Sequence, residues 1–128
     1  MAAISDYLEA ALLNHVFRNT AMTSPTTVYL ALYTAAPSDA GGGTEVTGNG
    51  YAREAITFGA PSAGQVSNSA EISFTASGGK WGTITPVGIF EAITAGNLLY
   101  HGALTTSRIV NDTDTLTFAV GELDCSLD

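Results

Sequence analysis

Basic residues are the scarcest component of this chain. Its 128 residues carry four Lys and Arg against twelve Asp and Glu, a formal net charge of −8, and Lys80 is the sole lysine. Gripping a phosphate backbone requires clustered Lys and Arg that release counterions. Nucleic acid is therefore excluded as a partner, and an anionic membrane surface is disfavoured on the same grounds. The acidic residues are scattered rather than gathered in runs, and they read as a solvated surface that keeps the protein soluble before assembly. Cysteine is nearly absent: Cys125 stands alone, so no internal disulfide is possible. The strand pattern around Cys125 turns it inward, as a small buried hydrophobe. No apolar run approaches the roughly 20 residues of a membrane span. Met1-Ala2-Ala3-Ile4 lacks the basic start of a signal peptide, and the expectation is a protein made in the cytoplasm. Without a secretion signal, Asn111-Asp112-Thr113 is a glycosylation sequon in form only.

What is present suits a β-rich domain. The chain is 45% hydrophobic, with 5 Phe, 5 Tyr and 1 Trp, enough to fill one core, and its length is that of a single domain spanning 1–128. Only 12% of it is charged, roughly half the usual share. The densest apolar run, Lys80 to Gly102, also holds Trp81. Within it Val87-Gly88-Ile89-Phe90 and Asn97-Leu98-Leu99-Tyr100 read as strands joined by Glu91 to Gly96. Strands apolar on both faces belong in the middle of a sheet, so this hairpin is the expected core.

The rest follows in order. Residues 5–19 read as the one helix, capped by Ser5 or Asp6, with Leu8, Leu12 and Val16 at four-residue spacing and Leu13 and Phe17 beside them. This stripe fits a helix lying on the sheet or an arm that docks on a neighbouring subunit. Thr26 to Tyr33 reads as a central strand. Thr34 to Gly50, with Pro37, three glycines from Gly41 and Gly48-Asn49-Gly50, reads as a long loop without regular structure, a kind of segment that is usually functional or mobile. Tyr51 to Phe58 reads as a strand and Gly59 to Asn68 as a second loop. Ala70, Ile72 and Phe74 alternate inward in a half-exposed strand. Pro86 marks an edge position or a bulge. Ala103 to Val110 is an irregular strand, and Asn111 to Asp114 a turn. Leu116, Phe118 and Val120 share a face, and Leu123, Cys125 and Leu127 extend the two-residue period almost to Asp128. About seven short strands between turn signals predict an antiparallel β-sandwich or barrel-like sheet pair, with the helix on one side or end.

Catalytic and ligand signatures are missing. His15 and His101 are far apart and lack companions at metal-ligand spacing. Asp112 and Asp114 beside Asn111 resemble part of a calcium loop, but the other ligand positions are missing and a plain turn prefers the same residues. The glycines of 34–50 lack the Lys and the Ser or Thr of a phosphate-binding loop. No nucleophile elbow occurs, and nothing selects a pair of carboxylates for glycoside hydrolysis. The expectation is a protein that is not an enzyme and takes no cofactor or metal.

Several stretches together resemble a family of small tailed-phage virion proteins: Ala11-Leu12-Leu13-Asn14-His15-Val16-Phe17-Arg18, Val28-Tyr29-Leu30-Ala31-Leu32-Tyr33-Thr34, Gly48-Asn49-Gly50-Tyr51-Ala52-Arg53, Trp81-Gly82-Thr83-Ile84, Val87-Gly88-Ile89-Phe90 and Asn97-Leu98-Leu99-Tyr100-His101-Gly102. The resemblance spans nearly the whole chain. Members often carry the label "tail fibre protein", and the resemblance brings no catalytic residues. It implies a non-enzymatic virion component made in the host bacterial cytoplasm. The chain is short, with no repeat or stalk, which fits a module used in many copies. The first expectation is a capsid cement or decoration protein that stabilises the outer shell, each weak site adding by avidity. The alternative is a tail or tail-fibre component that binds another tail protein or a host surface. A third reading, a carbohydrate-binding or carbohydrate-cleaving module, requires exposed Tyr or Trp. The expected partner is the major capsid protein or a tail protein of the same virion, and a homo-oligomer, a trimer included, is expected. The candidate contact residues are Leu8, Leu12 and Val16 on the helix and Pro37, Gly42 and Val46 in the loop.

Overall fold

The computed structural model describes residues 3–127. Met1 and Ala2, which open the signal-peptide reading, and Asp128, which closes the last strand pattern, lie outside them. The elements in chain order are β1 (Ala3–Ile4), α1 (Asp6–Phe17), β2 (Val28–Ala35), β3 (Thr44–Glu45), β4 (Glu54–Ile56), β5 (Gln65–Ser67), β6 (Ile72–Thr75), β7 (Gly82–Phe90), β8 (Leu98–Val110), β9 (Thr115–Phe118) and β10 (Asp124–Ser126). The main sheet runs β1-β8-β7-β2-β3, with β4 also paired to β2. Two ribbons, β5–β10 and β6–β9, complete the structure, and every pairing is antiparallel. This is the mainly β, sandwich-like architecture that the alternating pattern predicts, with one helix among the described residues.

The expected hairpin is central. β7 lies between β8 and β2, and the three strands bury both faces where they meet, at residues 30–33, 87–90 and 98–100, while the second half of β8 is largely exposed. On one face Leu30, Leu32, Ile84, Val87 and Ile89, with Trp81 just before β7, join Phe74 and Phe118 of the β6–β9 ribbon in one cluster. Each such buried side chain contributes about 1.5–3 kcal/mol relative to exposure. On the other face Ala31, Tyr33, Phe90 and Leu98 form a smaller cluster. Gly88 makes the second cluster possible: a Cβ there would lie 2.9 Å from Leu98 Cδ1 and 3.1 Å from Tyr33 Cε1. In the β6–β9 ribbon Ile72, Phe74, Leu116 and Phe118 point inward, while hydroxyls pair across the outer face at Ser73–Thr117 and Thr75–Thr115.

Several expectations are corrected. The helix is shorter than 5–19, because Asn19 takes a left-handed conformation (φ 53°) just beyond it and ends the regular turn. The loop 34–50 is not free of regular structure: β2 runs on to Ala35, and β3 pairs back to it at Tyr33 and Ala35. The 51–58 strand contracts to β4. The second loop contains β5, which pairs with β10 over three residues. Elements of two or three residues are too short to show a period, which is why ten strands appear among the described residues where about seven were legible. Ala70 is exposed, and so are Val120 (64%) and Leu127 (59%), because each lies just past the end of a paired strand. Pro86 does mark a bulge: the β7–β8 register shifts between Ile84↔Arg108 and Pro86↔Ala103.

Candidate docking surfaces

Helix α1 is fixed at its start and bare at its end. Buried Ser5 caps it, accepting from the Leu8 N–H at 3.2 Å and donating its hydroxyl to the Leu98 carbonyl, while the Ser5 N–H bonds to the Leu99 carbonyl at 2.9 Å. The next amide, Asp6 N–H, bonds to the Asp39 carbonyl at 2.9 Å. Asp6 and Glu9 supply the acidic first turn that the helix dipole favours. At the far end the Arg18 guanidinium donates to Asn14 Oδ1, and His15 Nδ1 accepts from the Met22 N–H at 3.3 Å. No helix residue is fully buried. Leu8 and Leu12 are half-buried, whereas Leu13, Val16 and Phe17 are 56%, 65% and 78% exposed. The apolar stripe therefore divides, its first turns lying on the sheet and its last turns facing outward.

Leu8 also forms one wall of an open groove of about 330 Å³. Its floor is the end of the core face of the main sheet, Val28, Ile89 and Tyr100 among others, and its far wall includes Phe58, Val66 and Cys125. Among the described residues, none that lines it carries a formal charge. Cys125 is half-buried here, and burial pushes its thiol up to about 11.

The loop of 34–50 is anchored at several points. Asp39 Oδ1 lies 2.7 Å from His101 Nε2 of β8, and Ser38 and Gly41 exchange backbone hydrogen bonds at 2.9 Å. Gly43 (φ 74°) packs so tightly that a Cβ would lie 2.7 Å from the Ala35 carbonyl oxygen. Of the loop candidates, Gly42 is exposed and Pro37 buried. Val46, at 6% exposure, belongs to the core cluster and donates its N–H to the Leu32 carbonyl, so it packs the sandwich and offers a partner no side chain. Among the helix candidates, the fold puts Leu8 in the groove wall, Leu12 half-covered and Val16 in solvent.

One cluster was missed from sequence. Arg53, expected as an ordinary strand residue, is 8% exposed. Its guanidinium holds both Glu45 oxygens at 2.9 Å, donates to the Ala92 and Ala95 carbonyls at 2.9 and 2.7 Å, and lies 3.6 Å from the Phe90 ring centroid. Tyr51 donates to Glu45 Oε2 at 2.7 Å and accepts from the Leu32 N–H at 3.0 Å. Burial alone would raise the Glu45 carboxyl; the hydrogen bonds from Arg53 and Tyr51 and the Arg53 charge outweigh it and hold the group below its ordinary value. Burial and the bond to Glu45 push the Tyr51 phenol far up. The available signal was the scarcity of base: a lone Arg in a half-apolar strand calls for an acidic partner.

The remaining polar candidates are structural. Asp114 accepts from the Asn111 N–H within the turn, and Asp112 accepts from the Gly78 N–H of the neighbouring loop. Trp81 packs edge-on to Tyr51 and Phe74 and donates Nε1–H to the Asn49 carbonyl, so it forms no exposed platform for a sugar. Among the described residues no three His, Cys, Asp or Glu side chains converge to hold a metal ion, and no helix is long and apolar enough to cross a membrane. What the surface offers is an apolar helix end, an apolar groove and an anchored glycine loop.

The model of the family described as "Podophage GP4 fiber I protein gp80" matches residues 3–126. No curated protein matches the chain.

Proposed function

This chain belongs to the podophage GP4 fiber I protein gp80 family, and from that premise we propose that it is a non-enzymatic fibre component of a tailed-phage virion, present in several copies and bound to another tail protein. The family's description supports the tail-fibre alternative more than the capsid cement reading that the sequence first suggested. The observation that carries the proposal is the outer end of α1, where Leu13, Val16 and Phe17 stand in solvent on a helix fixed rigidly at its other end. A lone exposed apolar residue needs no explanation, but several on one rigid element mark an interaction surface. The acidic, lysine-poor body suits contact with protein and repels nucleic acid.

Immunogold labelling of intact virions with antibody against this protein tests the reading. Gold at the tail is expected. Gold over the head surface would restore the cement reading, and absence from purified virions would remove both. A Phe17→Ser variant supplied in place of the native protein should be incorporated at a markedly lower copy number.

A further inference from the structure

We propose that a pocket between the start of α1, the glycine loop and the β7–β8 loop receives the cationic side chain of a Lys or Arg from the partner tail protein. The site is separate from the outer end of α1. The identity of the partner rests on the tail reading above, whereas the chemistry of the pocket is independent of it.

The pocket has a volume of about 470 Å³. Its floor is the smaller apolar cluster, with Tyr33, Phe90 and Leu98. Asp6 and Tyr7 of α1 line one side, residues 39–42 of the glycine loop another, and Gly96 and Asn97 the side of the β7–β8 loop. Tyr33 distinguishes this pocket from a plain surface dip. It is 3% exposed, yet its hydroxyl has no hydrogen-bond partner among the described residues. Every described side-chain N or O atom that is fully enclosed does have one. The Tyr33 oxygen is therefore the tip that reaches the open space of the pocket. Burial and the nearby Glu45 charge push this phenol up to about 12, so it stays protonated at neutral pH. A polar group held this deep without a partner is completed by one from outside.

The other lining groups select the kind of partner. Two lining residues are acidic, and among the described residues no Lys, Arg or His lines the pocket. One Asp39 oxygen meets His101 at 2.7 Å; its other oxygen and the Asp6 carboxylate accept no hydrogen bond from the described residues. Asn97 donates its amide N–H to Glu91 Oε1 at 2.6 Å, which leaves its amide oxygen as an acceptor. The backbone donors at the helix start are taken, Asp6 N–H by the Asp39 carbonyl and Leu8 N–H by the Ser5 hydroxyl. The nearest guanidinium, Arg53 against the Phe90 ring, is matched by Glu45. The pocket thus presents acceptors and negative charge. An anion is repelled, and a neutral sugar leaves both carboxylates unbalanced. An ammonium or guanidinium brings N–H donors to the open acceptors and charge to the carboxylates. The exposed Tyr7 ring beside them suits a cation as well. Gly41 and Gly42 leave the rim open to an entering side chain. This chain is a poor source of that side chain: it has four Lys and Arg, and Arg53 and Arg108 are already paired. A basic partner is also drawn to a body of net charge −8.

Titrating the isotope-labelled full chain with N-acetyl-arginine methylamide, and separately with N-acetyl-lysine methylamide, tests the pocket by nuclear magnetic resonance. Amide shifts centred on Asp6, Gly41, Gly42 and Asn97 are expected, and added salt should reduce them. Asp6→Asn should weaken binding about fivefold, and Tyr33→Phe about tenfold. Tyr33→Phe should keep the native urea midpoint, because the lost hydroxyl gives up no bond within the protein. Absence of shifts with both cations, or shifts that Tyr33→Phe leaves unchanged, overturns the proposal. Shifts at the same amides from methyl glucoside or from acetate, and none from the cations, overturn it in favour of a sugar or an anion. Asp6→Asn supplied in place of the native protein should enter virions at a lower copy number. If the probes bind but the protein is absent from purified virions, the tail protein is overturned as the source and the pocket stands. If gold marks the tail but the probes fail, the pocket falls and the tail reading stands.

Discussion

Arg53 makes four hydrogen bonds and a ring contact from a nearly buried position. It ties the β3 end of the glycine loop to the β7–β8 loop, two segments that share no backbone pairing. Removing one partner of a buried pair strands the other, at a cost of about 3–5 kcal/mol. Arg53→Ala should therefore lower the urea midpoint strongly, while Glu45→Gln, which keeps a hydrogen-bonding side chain, should cost less. The same contact sets an acid limit. The folded Glu45 carboxyl is held below its ordinary value of 4.5. Its stabilisation is fully present above that value and is lost as pH falls through the lowered folded value. Urea midpoints measured from pH 7 down to 3 should fall steeply for the native chain and less steeply for Glu45→Gln. Cys125 works in the opposite sense. With its thiol pushed up to about 11 by burial, it should react with an aromatic disulfide at pH 8 far more slowly in the folded protein than in urea, because the thiolate is the nucleophile.

At the scale of elements, α1 consists of two halves with different roles. Ser5→Ala loses the cap on the Leu8 N–H and the hydroxyl bond to the Leu98 carbonyl, while the backbone bond to Leu99 stays, so about 1–2 kcal/mol of stability should go with it. Val16→Ser and Phe17→Ser should cost within about 0.5 kcal/mol, as exposed positions do. Thermal unfolding of the three variants separates anchor from surface. This split was only partly legible beforehand. Four-residue spacing found the helix, and the Ser5 cap was readable, but periodicity cannot say which turns of an apolar stripe are covered. The long strands β2, β7 and β8 were legible because alternation or continuous apolarity runs through them for many residues. The pairs β2–β3 and β5–β10 were not, since they rest on two or three backbone contacts between residues that carry no pattern of their own. The Arg53–Glu45 pair was hidden for a related reason: its members lie on different segments, and only the fold brings them together.

At the scale of the whole molecule, the sandwich is built from pairings between distant parts of the chain. Ala3 meets His101, and β2 meets β7 across more than fifty residues. Such connections delay folding, because the loops must close before the contacts form. Refolding from urea should take milliseconds to seconds. A microsecond phase that recovered the full near-ultraviolet signal of Trp81 would contradict this architecture.

The glycine loop has one practical consequence. It is clamped at Asp39 on one side and at Gly43 on the other, yet side chains added at Gly41 and Gly42 would meet nothing. A foreign peptide spliced after Gly42 would hang outward from two fixed posts, so the particle that carries this protein would display it once per copy.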